Sequence, residues 1–262
     1  YPSGRAQFNL SIQGAGMAAS GIAYVGTTTQ TVLTVGSPVG LNDVLTFTMR
    51  DMWIGSAING ATNMVWLAGA YGTNGGAIAK AQFNHVAFIA GTNFTYYPPF
   101  WEIPGLIGLD VDVNYDDVIS VKECEFIGVT LSWACAHGVI EDNMWLYIKD
   151  VAVAWPKASP YYMGAAVLFK EPRGNWVNNY KDWRISGNTF VQCMIHYAIV
   201  HTDNADGPVR IYNDSDEHLV YPPTRAAVTT GPHVVFIDPK PDSYRAYFIN
   251  NQITNTADFS YW

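Results

Sequence analysis

Charge is scarce in this chain. Only 14% of its residues are Asp, Glu, Lys or Arg, and the 14 Lys and Arg are outnumbered by 22 Asp and Glu. The formal net charge of -8 excludes a chain-wide basic surface, and with it nucleic acid or an anionic membrane as the expected partner. It leaves room for an acidic polysaccharide held by a local patch. Cysteine is scarcer still: Cys124, Cys135 and Cys193 form no CxxC and no paired His/Cys spacing, so neither zinc nor any other metal is expected. Their odd number leaves at least one thiol free in a monomer, and buried structural thiols are the expected state. No apolar run is long enough to span a bilayer, no signal peptide is present, and no window carries a sustained 3.6-residue apolar stripe. The first residue is Tyr1 rather than Met, which points to processing or to a start inside a longer protein.

Apolar and small residues are plentiful: the chain is 49% hydrophobic, with 23 Gly, 16 Tyr and 9 Trp. That suits one large domain over residues 1–262 with a long core, and no linker divides it. A short pattern recurs, reading apolar, polar, turn-like polar, small or apolar, variable, apolar. Two copies are Val121-Lys122-Glu123-Cys124-Glu125-Phe126 and Ile148-Lys149-Asp150-Val151-Ala152-Val153; others begin at Met49, Phe83 and Ile185, with a looser one at Ile249. The third residues are Asp51, His85, Glu123, Asp150, Gly187 and Asn251, lying 34, 38, 27, 37 and 64 apart by subtraction. A repeat of this length marks a solenoid. The copies read as strands, and the third position breaks their alternation as a tight bend does. Asp, Asn and Gly tolerate left-handed backbone there; His85 and Glu123 are less natural. Stacking such strand-bend-strand units makes a parallel β-helix.

The first coil runs through Phe8-Asn9-Leu10-Ser11-Ile12-Gln13-Gly14-Ala15-Gly16, then Gly21-Ile22-Ala23-Tyr24-Val25-Gly26, then Val32-Leu33-Thr34-Val35-Gly36. In these residues the sequence resembles the pectin-lyase-like right-handed parallel β-helix proteins. The bends at Asp51, Asn188 and Asn251 look similar to that family's stacked turns, so the resemblance spans about residues 8–255. The aromatic loops look most like those of bacteriophage tailspikes and polysaccharide depolymerases. The resemblance implies an all-β, single-stranded right-handed parallel β-helix with loop insertions. It also implies a polysaccharide partner, a homotrimer, an extracellular or virion-surface location and no cofactor. The Asp-rich calcium cluster and arginine pattern of pectate lyases are not found, so pectate lysis is not carried over. Gly14-Ala15-Gly16 lacks the third glycine of a dinucleotide site.

Strands also recur between the pattern copies, and polar residues collect at their C-terminal ends: Asp110, Asp112, Glu141, Asp142, Lys170, His201 and Asp203. Stacked strands lie about 4.8 Å apart, so these residues are expected to form one row. Glycosidic cleavage takes two carboxyl groups, one donating a proton and the other attacking the sugar or activating water, at roughly 5 Å in retaining and roughly 6.5–9.5 Å in inverting enzymes. The expected pair is Glu141 with Asp112, while His201 and Asp203 orient substrate or tune the pair. A lyase would instead use His201 as base and Lys170 to stabilise developing charge. The same acids serve equally as solvated turn residues. Asp214, Asp216, Glu217 and His218 read as a solvated excursion rather than a metal site.

Aromatic insertions fall at 93–101, 155–162 and 176–183. Tyr96, Tyr97, Trp101 and Trp176, with the outward Trp53 and with Lys170, are the expected substrate-binding residues, because stiff aromatic rings pack on pyranose faces. Subunit contact and capping of the core are the alternatives. Two function classes follow: the expected one is a depolymerase that cleaves a bacterial surface glycan, as hydrolase or lyase, and the alternative is a non-catalytic structural or receptor-binding fibre. The enzyme needs Asp112 and Glu141 converging on an open groove; the fibre does not.

Overall fold

The computed structural model describes residues 7–26, 30–36, 43–56, 63–68, 78–94, 106–113, 118–135, 137–146, 148, 165–169, 182–191, 193, 195–200, 208–212, 214–217, 234–237, 245–249, 251 and 259–261. Among them the chain is all-β, without a helix, and every strand pairing is parallel. The chain makes repeated passes. The first comprises β1 (Gln7–Gln13), β2 (Gly21–Tyr24) and β3 (Thr31–Gly36), the second the long β4 (Asp43–Ser56) and β5 (Asn63–Ala68), the third the long β6 (Lys80–Ile89) and β7 (Ile107–Asp112). Then come β8 (Val118–Lys122), β9 (Glu125–Ile127) and β10 (Thr130–Ala134), followed by β11 (His137–Glu141), β12 (Met144–Leu146) and β13 (Ala165–Phe169). The last passes are β14 (Asp182–Ser186), β15 (Thr189–Val191) and β16 (Ile195–Val200); β17 (Pro208–Tyr212), β18 (Ser215–Glu217) and β19 (Val234–Ile237); and β20 (Arg245–Ile249) with β21 (Phe259–Tyr261).

Each pass lays its strands beside those of the pass before, giving a 13-stranded and an 8-stranded sheet. The larger sheet is two ladders joined through β4 and β6, each of which bends at its middle. The first ladder holds β1, the leading halves of β4 and β6, then β8, β11, β14, β17 and β20; the second holds β2, the trailing halves, then β9, β12, β15 and β18. The 8-stranded sheet is the third ladder. Alternate side chains of all three ladders meet in one continuous core, with Phe83, Val121 and Ile185 from the first, Phe126, Trp145 and Phe190 from the second, and Leu109, Trp133 and Phe169 from the third. At the β1 end, Phe8, Leu10 and Ile22 continue these rows in register with Val44, Phe47 and Ile54, yet they are exposed.

The bend between first and second ladders uses left-handed backbone at Asp51 (φ 56°), His85 (φ 56°), Glu123 (φ 53°), Asp142 (φ 55°) and Gly187 (φ 69°). Asp and His are among the side chains that tolerate this conformation best. Glycine at 187 meets the same φ without strain; an added Cβ there would sit 2.2 Å from Asp142 Oδ1, an exposed side-chain tip that would have to swing aside. The pattern therefore locates the bend at Asp51, His85, Glu123 and Gly187, and two positions are corrected. The bend after Glu123 is Asp142, whereas Asp150 lies outside the described residues. Asn251 sits one residue past its bend, since Ile249 pairs with Tyr212. Successive bends are 34, 38, 19 and 45 residues apart by subtraction, so the shortest pass eluded a search for an even period.

Just inside the bend runs a row of polar side chains that satisfies the backbone the bend leaves open. Asn143 Oδ1 accepts from Cys124 N (2.9 Å), Asn188 Oδ1 from Asn143 N (3.1 Å), Asp214 Oδ1 from Asn188 N (2.9 Å) and Asn251 Oδ1 from Asp214 N (2.9 Å). Asn143 Nδ2 donates to Val121 O and Asn188 Nδ2 to Ile140 O, tying each bend to the strand before it. Replacing Asn188 by Ala orphans the buried Asn143 N–H and the Ile140 carbonyl, at about 1–3 kcal/mol for each unsatisfied group. A chemical melt is expected to show a loss of about 2–6 kcal/mol, the two groups together; a change within the scatter of surface substitutions would mean that the row is dispensable.

Candidate functional site

Every long connection borders the third ladder. By subtraction, 17 residues separate β6 from β7, 18 separate β12 from β13, 16 separate β18 from β19, and 12 separate β13 from β14, against two at each bend from β8, β11, β14 and β17. From β7 through β10 to β13, the outward face of the third ladder is itself buried. On β7, Leu109 and Val111 enter the core, while Asp110 and Asp112 alternate to the other side at 0% and 1% exposure. Asp110 pairs in register with Trp66 and Ser132, and Asp112 with Ala68 and Ala134. Asn63 Nδ2 donates to the Asp110 carboxylate at 3.2 Å. Ser132 Oγ is buried with no hydrogen-bond partner among the described residues. Residues two apart on one strand face sit roughly 6.6 Å apart along the backbone, twice the rise per residue.

Glu141 lies elsewhere, which corrects the expected row. Its strand β11 belongs to the first ladder, where it pairs with Lys122 and Ser186; in the third ladder the neighbour of β7 is β10, where Asp112 faces Ala134. Glu141 and Asp112 therefore share no row. Both Glu141 oxygens are engaged: Lys122 Nζ stands 2.6 Å from Oε2, Arg184 Nε 2.7 Å from Oε1, and Ser186 Oγ 3.5 Å from the same Oε1. A carboxylate gripped by two cations from flanking strands is an ion-pair centre, with both of its oxygens already engaged.

The remaining expected residues divide sharply. His201, Asp203, Lys170, Tyr96, Tyr97, Trp101 and Trp176 lie outside the described residues. Trp53 faces outward on the second ladder, where it packs with Met17, Phe94 and Met144 over Ala87, Ile89, Ile127, Leu146 and Val191. Its indole lies across Gly21, where an added Cβ would come within 2.0 Å of the ring. Trp183, read as part of an aromatic insertion, is a core residue: it stacks on Phe169 at 4.4 Å and donates from Nε1 to Cys135 O at 2.6 Å. Asp214 is likewise no solvated loop acid. It is buried, accepts from Tyr197 Oη and Asn188, and desolvation pushes its carboxyl up to about 7 against those hydrogen bonds. The three cysteines are free and buried as expected, and burial pushes the Cys124 thiol up to about 12, which leaves it unreactive. Among the described residues, no three His, Cys, Asp or Glu side chains gather as metal ligands.

The exposed sheet surface is the outward face of the first ladder. Thr46, Arg50, Lys80, Gln82, Asn84 and Arg184 are exposed there, with Ser120, Lys122 and Ser186 half-buried beside them. Thr46 Oγ1 donates to Asn9 Oδ1 and Arg50 to Gln13 Oε1, each at 2.7 Å. At the bend, Asp51 within β4 is bonded to His85 within β6 at 3.1 Å, and the exposed Glu123 and Asp142 follow the ends of β8 and β11. Lys122 and Arg184 were not legible as partners, because 62 residues separate them by subtraction and only the strand register brings both to Glu141. No protein-family model, curated protein or solved structure matches this chain. Its sheet faces and their chemistry therefore carry the functional reading.

Proposed function

We propose that this chain is a right-handed parallel β-helix, similar to the pectin-lyase-like proteins and to the tailspikes among them, that acts as a receptor-binding fibre recognising polysaccharide without cleaving it. The separation of the two nominated carboxylates carries this reading. Asp112 is withdrawn to 1% exposure on the third ladder, and Glu141 is held by Lys122 and Arg184 on the first. A general acid must come within hydrogen-bond reach of the glycosidic oxygen. The first ladder meanwhile offers sugar hydroxyls an open face of amides, hydroxyls and cations, groups of the kind that orient a bound ligand. A homotrimer on a virion surface is the assembly that the tailspike likeness implies, and it belongs to the same proposal.

One observation favours a second reading, inverting hydrolysis by Asp110 and Asp112. The two residues sit two apart on one strand face, roughly 6.6 Å along the backbone, on the ladder that the longest connections border, and the carboxyl groups of inverting enzymes are spaced at roughly 6.5–9.5 Å. Incubation with a panel of bacterial surface polysaccharides, following both retention on immobilised glycan and new reducing ends, separates the two. Retention without new reducing ends is expected. Reducing ends released by the native chain and lost in a folded Asp112→Asn variant would establish the hydrolase instead.

A further inference from the structure

We propose that the outward face of the first ladder is a docking surface for a carboxylate-bearing polysaccharide. This rests on the glycan-recognition reading above and adds to it the face and the ligand chemistry. The chain as a whole carries a formal net charge of -8, yet the sign reverses locally. Among the described side chains of this face, Arg50, Lys80, Lys122 and Arg184 stand against the single carboxylate Glu141. The carboxylates of the bend sit at the edge of this face: Asp51 at the turn within β4, bonded to His85, and Glu123 and Asp142 just past the ends of β8 and β11.

The face also displays how it takes a carboxylate. Lys122 and Arg184, on the strands either side of β11, converge on Glu141 at 2.6 and 2.7 Å, and their side chains remain 42% and 70% exposed. A charged arginine whose outer edge stays in solvent has donors left for an incoming carboxylate, since guanidinium presents five. The strands repeat about every 4.8 Å, so cations recur along the stack as uronate groups recur along a polymer. Between them Gln13, Thr48, Gln82, Asn84 and Ser120 supply donors and acceptors for hydroxyls. The occupant is thus a linear acidic glycan lying along the stack.

Retention of the folded chain on immobilised alginate, with neutral dextran as comparison, tests this. Alginate is expected to be retained and dextran not, with retention falling steeply as salt rises. Arg184→Gln and Lys80→Gln are each expected to weaken binding about threefold, as for an exposed charge pair. Glu141→Gln removes the competing carboxylate and is expected to tighten it by a similar factor. Alginate retained with all three variants unchanged would place the site on another face. Dextran retained as well as alginate would remove the carboxylate chemistry while leaving glycan recognition standing. If neither alginate, dextran nor any of the bacterial polysaccharides is retained, glycan recognition itself fails. Sedimentation of the same variants closes the remaining route: a changed oligomeric state would make the face a contact between copies of this chain and overturn the proposal.

Discussion

Trp145→Ala is expected to lower the stability of the chain by about 3–5 kcal/mol, the range for truncating a large buried aromatic residue. Trp145 stands in the middle of a column of rings on the second ladder, stacked on Phe126 at 5.0 Å and on Phe190 at 5.1 Å, with planes inclined by only 7° and 14°. The column runs on through Phe88 at one end, 4.8 Å from Phe126, and His196 at the other, 4.3 Å from Phe190. In a stack where each pass leans only on its neighbours, removing the central ring deletes two interfaces at once. A guanidinium melt is expected to move to a lower midpoint, and Trp145→Phe, which keeps a ring in the gap, is expected to avoid most of the loss. A loss below about 1 kcal/mol, the size of a surface effect, would mean that the polar row inside the bend, rather than the rings, couples the passes.

Part of this architecture could be read from residue order, and the limits of that reading have physical causes. The strands of the first pass and the bends at Asp51, His85, Glu123 and Gly187 were legible because a left-handed residue between two alternating runs leaves a local signature. The bend at Asp142 was not, since its pass returns after 19 residues and the next after 45. The same slip misplaced Glu141. Strand β11, Gly138-Val139-Ile140-Glu141 after His137, carries one apolar face as the third-ladder strands do, and only its register with Lys122 and Ser186 assigns it to the first ladder. Asp112 was legible as an outward carboxylate, but its burial was not, because the cover over a sheet face leaves no periodicity in the strand beneath. Trp183 sits at the end of an aromatic run and looks like loop until its pairing with Gly138 and Val209 is known.

Asp214→Asn is expected to stabilise the chain at neutral and alkaline pH and to remove one component of its pH dependence. Asp214 occupies the register position of Asn143, Asn188 and Asn251, so a neutral amide is the side chain that the row uses elsewhere. Its second oxygen meets Tyr197 Oη, whose own ionisation is pushed upward by burial and by this carboxylate. Desolvation raises the Asp214 carboxyl from 3.8 to about 7, so the folded state binds the proton more tightly than the unfolded chain does. The sign follows: the contribution is fully present below about pH 4, falls as pH rises through the window, and is gone above about pH 7. Over that span of about three pH units the fall amounts to roughly 4 kcal/mol. Other carboxylates titrate in the same range, so the decisive quantity is the difference between native chain and variant. Unfolding free energies measured at pH 4.5 and pH 8 are expected to diverge, with the variant more stable at pH 8 and the gap closing toward pH 4.5. A gap independent of pH would show that Asp214 keeps its charge when buried, and that Tyr197 and Asn188 compensate it fully.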